Sequence, residues 1–381
     1  MGRHHLPGDP TIAVVGRRVA TIAVSLTALW APAGALGAGG PPPPKPPVPA
    51  YGTGAAMGIQ TELSNPTGMP PGVVNGPCTP DPAHPYPVVL VHGTSANANF
   101  SWQTLAPMLS DAGYCVYALN YGANSWTGYS GNHVFALDFV EHSAAQLANF
   151  IQNVVLPDTG ASQVDIVGHS QGGMMPRYYI EHGWNCSVTT TNSYGETGCQ
   201  QDDVAGSSGS SHVHTLVGLA PANHGADAQG LVPVFASIFG SNTYTFPEQG
   251  CGACGEQEAG SPFMTALNAH EPDLAVGSSV LYYVIETGDD ELVTPAPGPV
   301  QQARGQWPSA YLHGSPDQVL NLRVQDQCPN DQTEHIGIIY DPVALQDVTA
   351  ALAHNGTAGS RPLALPGVPC PTAPVPPLIS G

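Results

Sequence analysis

The chain has 381 residues, 42% of them hydrophobic and 9% charged, and a formal net charge of −20. That composition suits a large packed core rather than a disordered chain, and the excess of Asp and Glu makes nucleic acid and anionic membranes poor partners. The length exceeds that of one ordinary domain, and the surplus lies at the two ends.

Residues 1–38 read as an export signal. Arg17 and Arg18 precede an apolar stretch from Val19 to Trp30, and small residues follow, with cleavage expected after Ala35 or Ala38. The stretch is too short to read as a membrane span. The arginine pair admits twin-arginine export, but the general secretory route is the expected one. Without the leader, which holds three arginines and one aspartate, the formal charge is −22. Gly39 to Ala50 is a proline spacer that favours extended geometry and packs no core. We assign residues 39–75 to a Pro-rich linker, 76–356 to one catalytic domain, and 357–381 to a Pro-rich tail tied by Cys370. Core-forming sequence begins at about Tyr51 and ends at about Gly356.

Six short apolar runs alternate with helical patterns. Pro87 to Val91 reads as a buried parallel strand, and Trp102, Leu105 and Leu109 then recur at helical spacing up to Gly113. Cys115 to Leu119 is the second strand. Leu137, Val140, Ala144, Leu147, Ile151 and Val154 form one stripe, which predicts a helix from Phe135 to Leu156. Val164 to Val167 is the third strand, and a helix is predicted over Met174 to His182. The runs 215–219, 280–286 and 319–324 complete the strands, and an amphipathic helix covers Pro342 to Ala353. The alternation predicts an α/β fold whose mostly parallel central sheet has helices on both faces. Two stretches break the rhythm. Trp184 to Ser211 is polar and reads as a surface insertion. Gly225 to Phe263 carries an apolar patch at Leu231–Phe239, which reads equally as a lid over a site or as a core helix.

Eight cysteines behind an export signal suggest disulfides. Pairing nearest neighbours gives Cys78–Cys115, Cys186–Cys199, Cys251–Cys254 and Cys328–Cys370. Cys251-Gly-Ala-Cys254 also fits a redox motif or half a zinc site, but no second CxxC accompanies it. No metal-binding motif is visible, and neither metal nor cofactor is expected.

Gly168-His169-Ser170-Gln171-Gly172 directly follows the third strand and fits G-x-S-x-G, a sharp strand-to-helix turn that exposes a serine hydroxyl. Gly168 and Gly172 allow the tight turn, with Ser170 in strained backbone at its apex. A serine hydroxyl needs a base to take its proton and an acid to orient the base, expected in the chain order Ser, acid, His. Asp290 is the expected acid, with Asp289 as rival, and His335 is the expected base. The backbone N–H groups of Gln171 and Thr94 are the expected oxyanion donors, with Gly93 permitting close approach. His92 reads as a structural loop residue, and His169 as pointing into the scaffold. His224 reads equally as lining the site or as a plain loop residue. Phe100 and Trp102 fit an acyl pocket or core packing equally.

Several of these segments together resemble the class 2 lipases secreted by bacteria, actinobacteria especially. They include Pro87-Val88-Val89-Leu90-Val91-His92-Gly93-Thr94, Gly113-Tyr114-Cys115-Val116, and Gly168-His169-Ser170-Gln171-Gly172 with the helix start after it. Leu219-Ala220-Pro221-Ala222-Asn223-His224-Gly225, Asp290-Glu291-Leu292-Val293-Thr294-Pro295 and Glu334-His335 complete the set. The resemblance runs from about Cys78 to Cys370. It implies an α/β-hydrolase fold, a cofactor-free serine mechanism and fatty acyl ester substrates, and it favours Asp290 over Asp289. The insertion at 184–211 departs from the family pattern. The expected function is a secreted serine carboxylic-ester hydrolase, a triacylglycerol lipase or esterase acting on an ester or lipid substrate. The alternatives are a polyester depolymerase with the same residues, acyl transfer to an alcohol, and a non-catalytic envelope-binding protein on a hydrolase scaffold.

Overall fold

The computed structural model describes residues 51–202, 208–226, 250–270, 272–298, 305–354 and 370. The export signal, the proline spacer up to residue 50, the apolar patch at Leu231–Phe239 and the tail apart from Cys370 lie outside the described residues.

The strands in chain order are β1 Val88–Val91, β2 Val116–Leu119, β3 Val164–His169, β4 Trp184–Thr191, β5 Thr197–Gln201, β6 Val213–Leu219, β7 Leu281–Glu286 and β8 Val319–Arg323. Six of them form one sheet in the order β2-β1-β3-β6-β7-β8, and every adjacent pair is parallel. These six are the six apolar runs of the sequence. The runs are continuous rather than alternating because both faces of the sheet are covered. Val89, Val91, Tyr117, Ile166 and Leu216 pack in one core, and Val88, Leu90, Val116, Val217 and Tyr283 in the other. Successive side chains of a strand therefore supply opposite layers.

Helix α1 spans Tyr51–Ser64, α2 Val140–Phe150, α3 Gln171–Glu181 and α4 Pro342–Ala353. Helices α2 and α3 fill the first core through Val140, Ala144, Leu147, Met174, Met175 and Ile180. Helix α4, with the turn at Leu105–Asp111, fills the second through Val343, Val348, Leu352, Leu105 and Leu109. The α2 stripe begins later than its spacing predicts. Ala136 has φ +56° and Phe139 is extended, so helical backbone starts only at Val140. It then continues through a π turn at Ile151–Val155 to Thr159, where Gly160 takes the left-handed conformation.

Helix α1 corrects one boundary. It lies inside the stretch 39–75 assigned to a linker, but the chain between Pro49 and Pro66 holds no proline. The helix has tertiary partners: Glu62 is fully buried beside His133 Nδ1 at 3.0 Å, and Asn99 donates to the Asn65 carbonyl at 2.9 Å. The polar insertion is largely an antiparallel hairpin, β4–β5. Its Glu196 accepts from the Ala123 N–H at 2.8 Å and from Gln146 at 3.0 Å, which docks the hairpin on the rim of the sheet. Phe100 and Trp102 belong to the second core, so packing accounts for both.

All four expected disulfides are present: Cys78–Cys115, Cys186–Cys199, Cys251–Cys254 and Cys328–Cys370. No described helix is long and apolar enough to cross a membrane. Cys78–Cys115 closes a sequence separation of 37 and fastens the segment entering β1 to the start of β2. Replacing both cysteines with serine is expected to lower the unfolding free energy by about 2–4 kcal/mol in urea titration. No change in midpoint would show that the bridge constrains nothing in the unfolded chain.

Candidate active site

The sheet order reverses direction between β1 and β3, since the chain moves to β2 on one side and to β6 on the other. Loops leaving the C-terminal ends of β1 and β3 diverge there and open a crevice. Ser170 sits in that crevice, between β3 and α3, with φ +55° and ψ −122°. This strained backbone needs glycine on both sides. A Cβ on Gly168 would lie 1.8 Å from the Gly172 carbonyl oxygen, and one on Gly172 would lie 2.1 Å from that of Val91. The turn is held by the Ser170 N–H donating to the Leu219 carbonyl at 3.0 Å.

Loops after β7 and β8 bring in the other groups. Asp290 Oδ2 accepts from His335 Nδ1 at 2.8 Å, and both side chains are essentially inaccessible to solvent. Asp290 Oδ1 accepts two backbone N–H bonds, from Leu292 at 2.8 Å and Val293 at 2.7 Å. Asp289, the rival acid, is exposed. The His335 carbonyl accepts from His169 Nε2 at 2.8 Å, and the two imidazoles stand 4.8 Å apart, so His335 lies directly beside the elbow. Among the described residues Ser170 Oγ has no hydrogen bond; proximity, and not a bond, relates it to His335 in this resting geometry. Such bonds are often long in unliganded enzymes.

Burial alone would raise the Asp290 carboxyl, but the charge of His335, its hydrogen bond and the two N–H groups outweigh that and hold it below the ordinary range. For His335, burial works against protonation, and the charge and hydrogen bond of Asp290 overcome it, so the imidazole is pushed above 6.5. Burial, then the charge of Asp290, pushes Glu286 well above the usual carboxylate value. Asp290 is therefore the ionised member of that buried pair. His169 and His92 are held neutral by burial, with pKa lowered to about 3 and about 4. His169 packs into the scaffold and His92 stacks on Tyr121, as their scaffold readings require.

The two expected oxyanion donors flank the elbow. Gln171 is the first residue of α3, where the backbone N–H has no intrahelical acceptor. Thr94 lies in the loop after β1, across Gly93, whose Cβ would meet Ser170 Cβ at 3.1 Å. Their side chains are joined: Thr94 Oγ1–H donates to Gln171 Oε1 at 2.6 Å, and Gln257 Nε2–H donates to Thr94 Oγ1 at 2.9 Å. Sequence reasoning missed Gln257, a lone amide with no motif around it.

His224 does not touch these groups. Its Nε2 lies 3.2 Å from Asp273 Oδ2, which also accepts from His313 Nδ1 at 2.8 Å and from the His313 N–H at 2.7 Å. The three ligand-type atoms lie within 4.8 Å of one another, but these hydrogen bonds account for the arrangement as a staple between loops. Burial pushes the Asp273 carboxyl up, yet the two histidines and their N–H donors bring it down to about 2. Fully buried Arg177 extends the staple, donating to the carbonyls of Asn223 at 2.9 Å and Asp273 at 3.1 Å.

A parallel sheet in this order, with a serine elbow after β3 and an Asp–His pair on the loops after the last two strands, defines the α/β-hydrolase fold. Residues 85–308, more than half of the chain, match the family described as Lipase (class 2), and the chain belongs to that family. A triacylglycerol lipase of Pseudarthrobacter phenanthrenivorans is 34% identical over 99 residues, which cover 24% of this chain and 27% of that protein. A triacylglycerol lipase of Burkholderia plantarii is 34% identical over 99 residues, covering 24% of each. The chain thus spans about a quarter of the length of the curated relatives it matches. Among solved structures, the mature form of Bacillus licheniformis lipase BlEst2 matches with a TM-score of 0.44 and 15% identity, covering 72% of this chain and 95% of that one. A phosphonate-inhibited esterase B from Lactobacillus rhamnosis matches with a TM-score of 0.40 and 10% identity, covering 80% and 93%.

The ion pair has a signed pH dependence. Asp290, with a depressed pKa, contributes stability above the ordinary carboxylate value, lost as pH falls through its folded pKa. His335, with a raised pKa, contributes stability below 6.5, lost as pH rises through its folded pKa. In an NMR titration of the imidazoles, His335 is expected to titrate above 6.5, with His169 and His92 neutral down to about 3 and about 4. A His335 titrating below 6.5 would contradict charge pairing with Asp290.

Proposed function

We propose that the protein is a secreted serine carboxylic-ester hydrolase, a triacylglycerol lipase or esterase that works through an acyl-enzyme on Ser170. Membership in the class 2 lipase family supports the reaction class. The observation that carries the reading is the buried Asp290–His335 hydrogen bond beside the Ser170 elbow. Four disulfides with no free cysteine fit an oxidising, extracellular setting. The substrate is an ester or lipid presented in solution or at an oil–water interface.

The steps follow from the groups. Ser170 Oγ attacks the ester carbonyl carbon while His335 Nε2 takes the hydroxyl proton. Asp290 holds the imidazole with Nδ1–H toward itself, so Nε2 carries the lone pair, and stabilises the imidazolium that forms. The carbonyl oxygen becomes an oxyanion and receives the N–H groups of Thr94 and Gln171. The tetrahedral adduct collapses, the alcohol leaves with the proton from His335, and Ser170 is acylated. Water then loses a proton to His335 and attacks the acyl carbon; the second adduct expels Ser170 Oγ, which takes that proton back from His335, and the acid is released. Every step uses these side chains, the two backbone N–H groups and water.

The test is hydrolysis of p-nitrophenyl esters of increasing chain length and of emulsified triolein. Ser170→Ala is expected to lower kcat by roughly 10⁶, and wild-type rates from that variant would sink the mechanism. Triolein cleavage identifies a lipase. Cleavage of short esters alone identifies an esterase, with polyester films as the next substrate. Because the base must be neutral, kcat/KM is expected to fall with pH through a value above 6.5. Asp290→Asn is expected to cost about 10⁴ in kcat and to move that limb to lower pH. An unmoved limb would show that Asp290 does not set the charge of His335.

A further inference from the structure

Thr94 occupies the middle of the loop after β1, and its neighbours are fixed by the backbone. The His92 carbonyl accepts from Tyr121 O–H at 2.6 Å, and the Ser95 N–H donates to the Phe135 carbonyl at 2.8 Å. Among the described residues Thr94 itself is tied only through its hydroxyl, to Gln171 and Gln257. Gln257 is buried, 2% exposed, and its Nε2 also reaches Gln171 Oε1 at 3.1 Å and the Ala253 carbonyl at 3.0 Å. One amide thus reaches both the loop after β1 and the first residue of α3, which carry the expected oxyanion donors, joining positions 163 and 86 residues away in sequence.

The chemistry of the position selects an amide. Its Nε2 faces three oxygens, Thr94 Oγ1, Gln171 Oε1 and the Ala253 carbonyl, and shares its two hydrogens among them. Leucine of similar size would donate none. Gln171 Nε2 is buried with no partner among the described residues, so the orientation of its amide depends on the two donors at Oε1. Without Gln257, Gln171 keeps one donor and the Thr94 hydroxyl loses its only incoming bond. The Thr94 loop and the Gln171 side chain then gain freedom at the point where donor placement matters to a few tenths of an ångström.

We infer that Gln257 is a positioning residue of this site, holding Thr94 and Gln171 so that their backbone N–H groups converge on one oxyanion. The inference rests on the serine-hydrolase reading above and adds to it a residue from outside the elbow and its two partner loops.

The test compares wild type with Gln257→Leu, reading kcat and KM for p-nitrophenyl butyrate, the inhibition constant of an alkyl trifluoromethyl ketone, and thermal midpoint. The ketone forms a tetrahedral oxyanion on the serine and so reports the donors directly. Removing a donor outright costs ~10²–10³; displacing two is expected to lower kcat about ten- to a hundredfold and to weaken the ketone by the same factor, with KM within about twofold. A purely structural role would shift the midpoint and leave kcat and ketone affinity unlinked. Unchanged kcat and ketone affinity in a folded Gln257→Leu variant, or a fall in kcat with ketone affinity retained, would overturn the inference. If that variant does not fold, Gln257→Met decides. It keeps the length of the side chain and removes its N–H donors, so it should show the same linked loss, and wild-type values would overturn the inference. Ser170→Ala serves as the separate control: full activity there would remove the parent reading, whatever Gln257 does.

Discussion

The constraint on which the site depends is steric: three glycines let the turn after β3 press against the end of β1. The 2.1 Å that a Gly172 Cβ would leave to the Val91 carbonyl oxygen is inside any contact distance, as is 1.8 Å from Gly168 to the Gly172 carbonyl. Gly93 meets the same turn from the other side. The closeness is not a by-product of packing. It brings the loop that carries Thr94 against Ser170 at the start of α3, which wider spacing would prevent. The left-handed backbone of Ser170 costs of order 1–3 kcal/mol, and the paired strands on both sides hold it in place.

Around that turn the protein concentrates its ionised groups sparingly. The chain has eight basic residues in all, and neither of the two among the described residues, Arg177 and Arg323, bonds to Asp290. A histidine and two backbone N–H groups replace an arginine as its partners. That choice matters because a permanent cation would hold Asp290 without needing the imidazole, whereas here the carboxylate and His335 depend on each other. Burial and the charge of Asp290 push the Glu286 carboxyl well above the usual range, while Glu291 and Glu334 add to the field of Asp290 that raises His335. Arg177, the one fully buried basic side chain among the described residues, is committed elsewhere, to the carbonyls of Asn223 and Asp273.

The sheet was legible because each strand is buried on both faces and reads as a continuous apolar run, with boundaries within about two residues of the structure. The candidate serine, acid and base could be singled out because each follows one of those strands, so local position in the chain already implied position at the C-terminal edge of the sheet. What could not be read depends on contacts without local pattern. Gln257 meets Thr94 across 163 residues and carries no spacing signal. Asp273, His224 and His313 come from three loops, and only their convergence gives them a role. Helix α1 was hidden for the opposite reason: prolines on both sides give its surroundings the composition of a linker, and only the gap between Pro49 and Pro66 permits helix.

The Cys251–Cys254 bridge belongs to the same argument. A disulfide over three residues removes little conformational entropy from an unfolded chain, so loop closure cannot be its main contribution. Its effect is local shape. Cys251 caps the short helix Gly252–Glu256, its sulfur accepting from the Cys254 N–H at 3.1 Å, and Ala253 in that helix supplies the carbonyl on which the Gln257 amide rests. The Gln257 carbonyl in turn accepts from the Ala226 N–H at 2.8 Å. The bridge therefore shapes the short helix whose carbonyl supports the Gln257 amide, which reaches both Thr94 and Gln171. Long-separation bridges such as Cys78–Cys115 limit the unfolded chain, while this short one shapes the native turn, and the two kinds of cross-link stabilise the fold for different physical reasons.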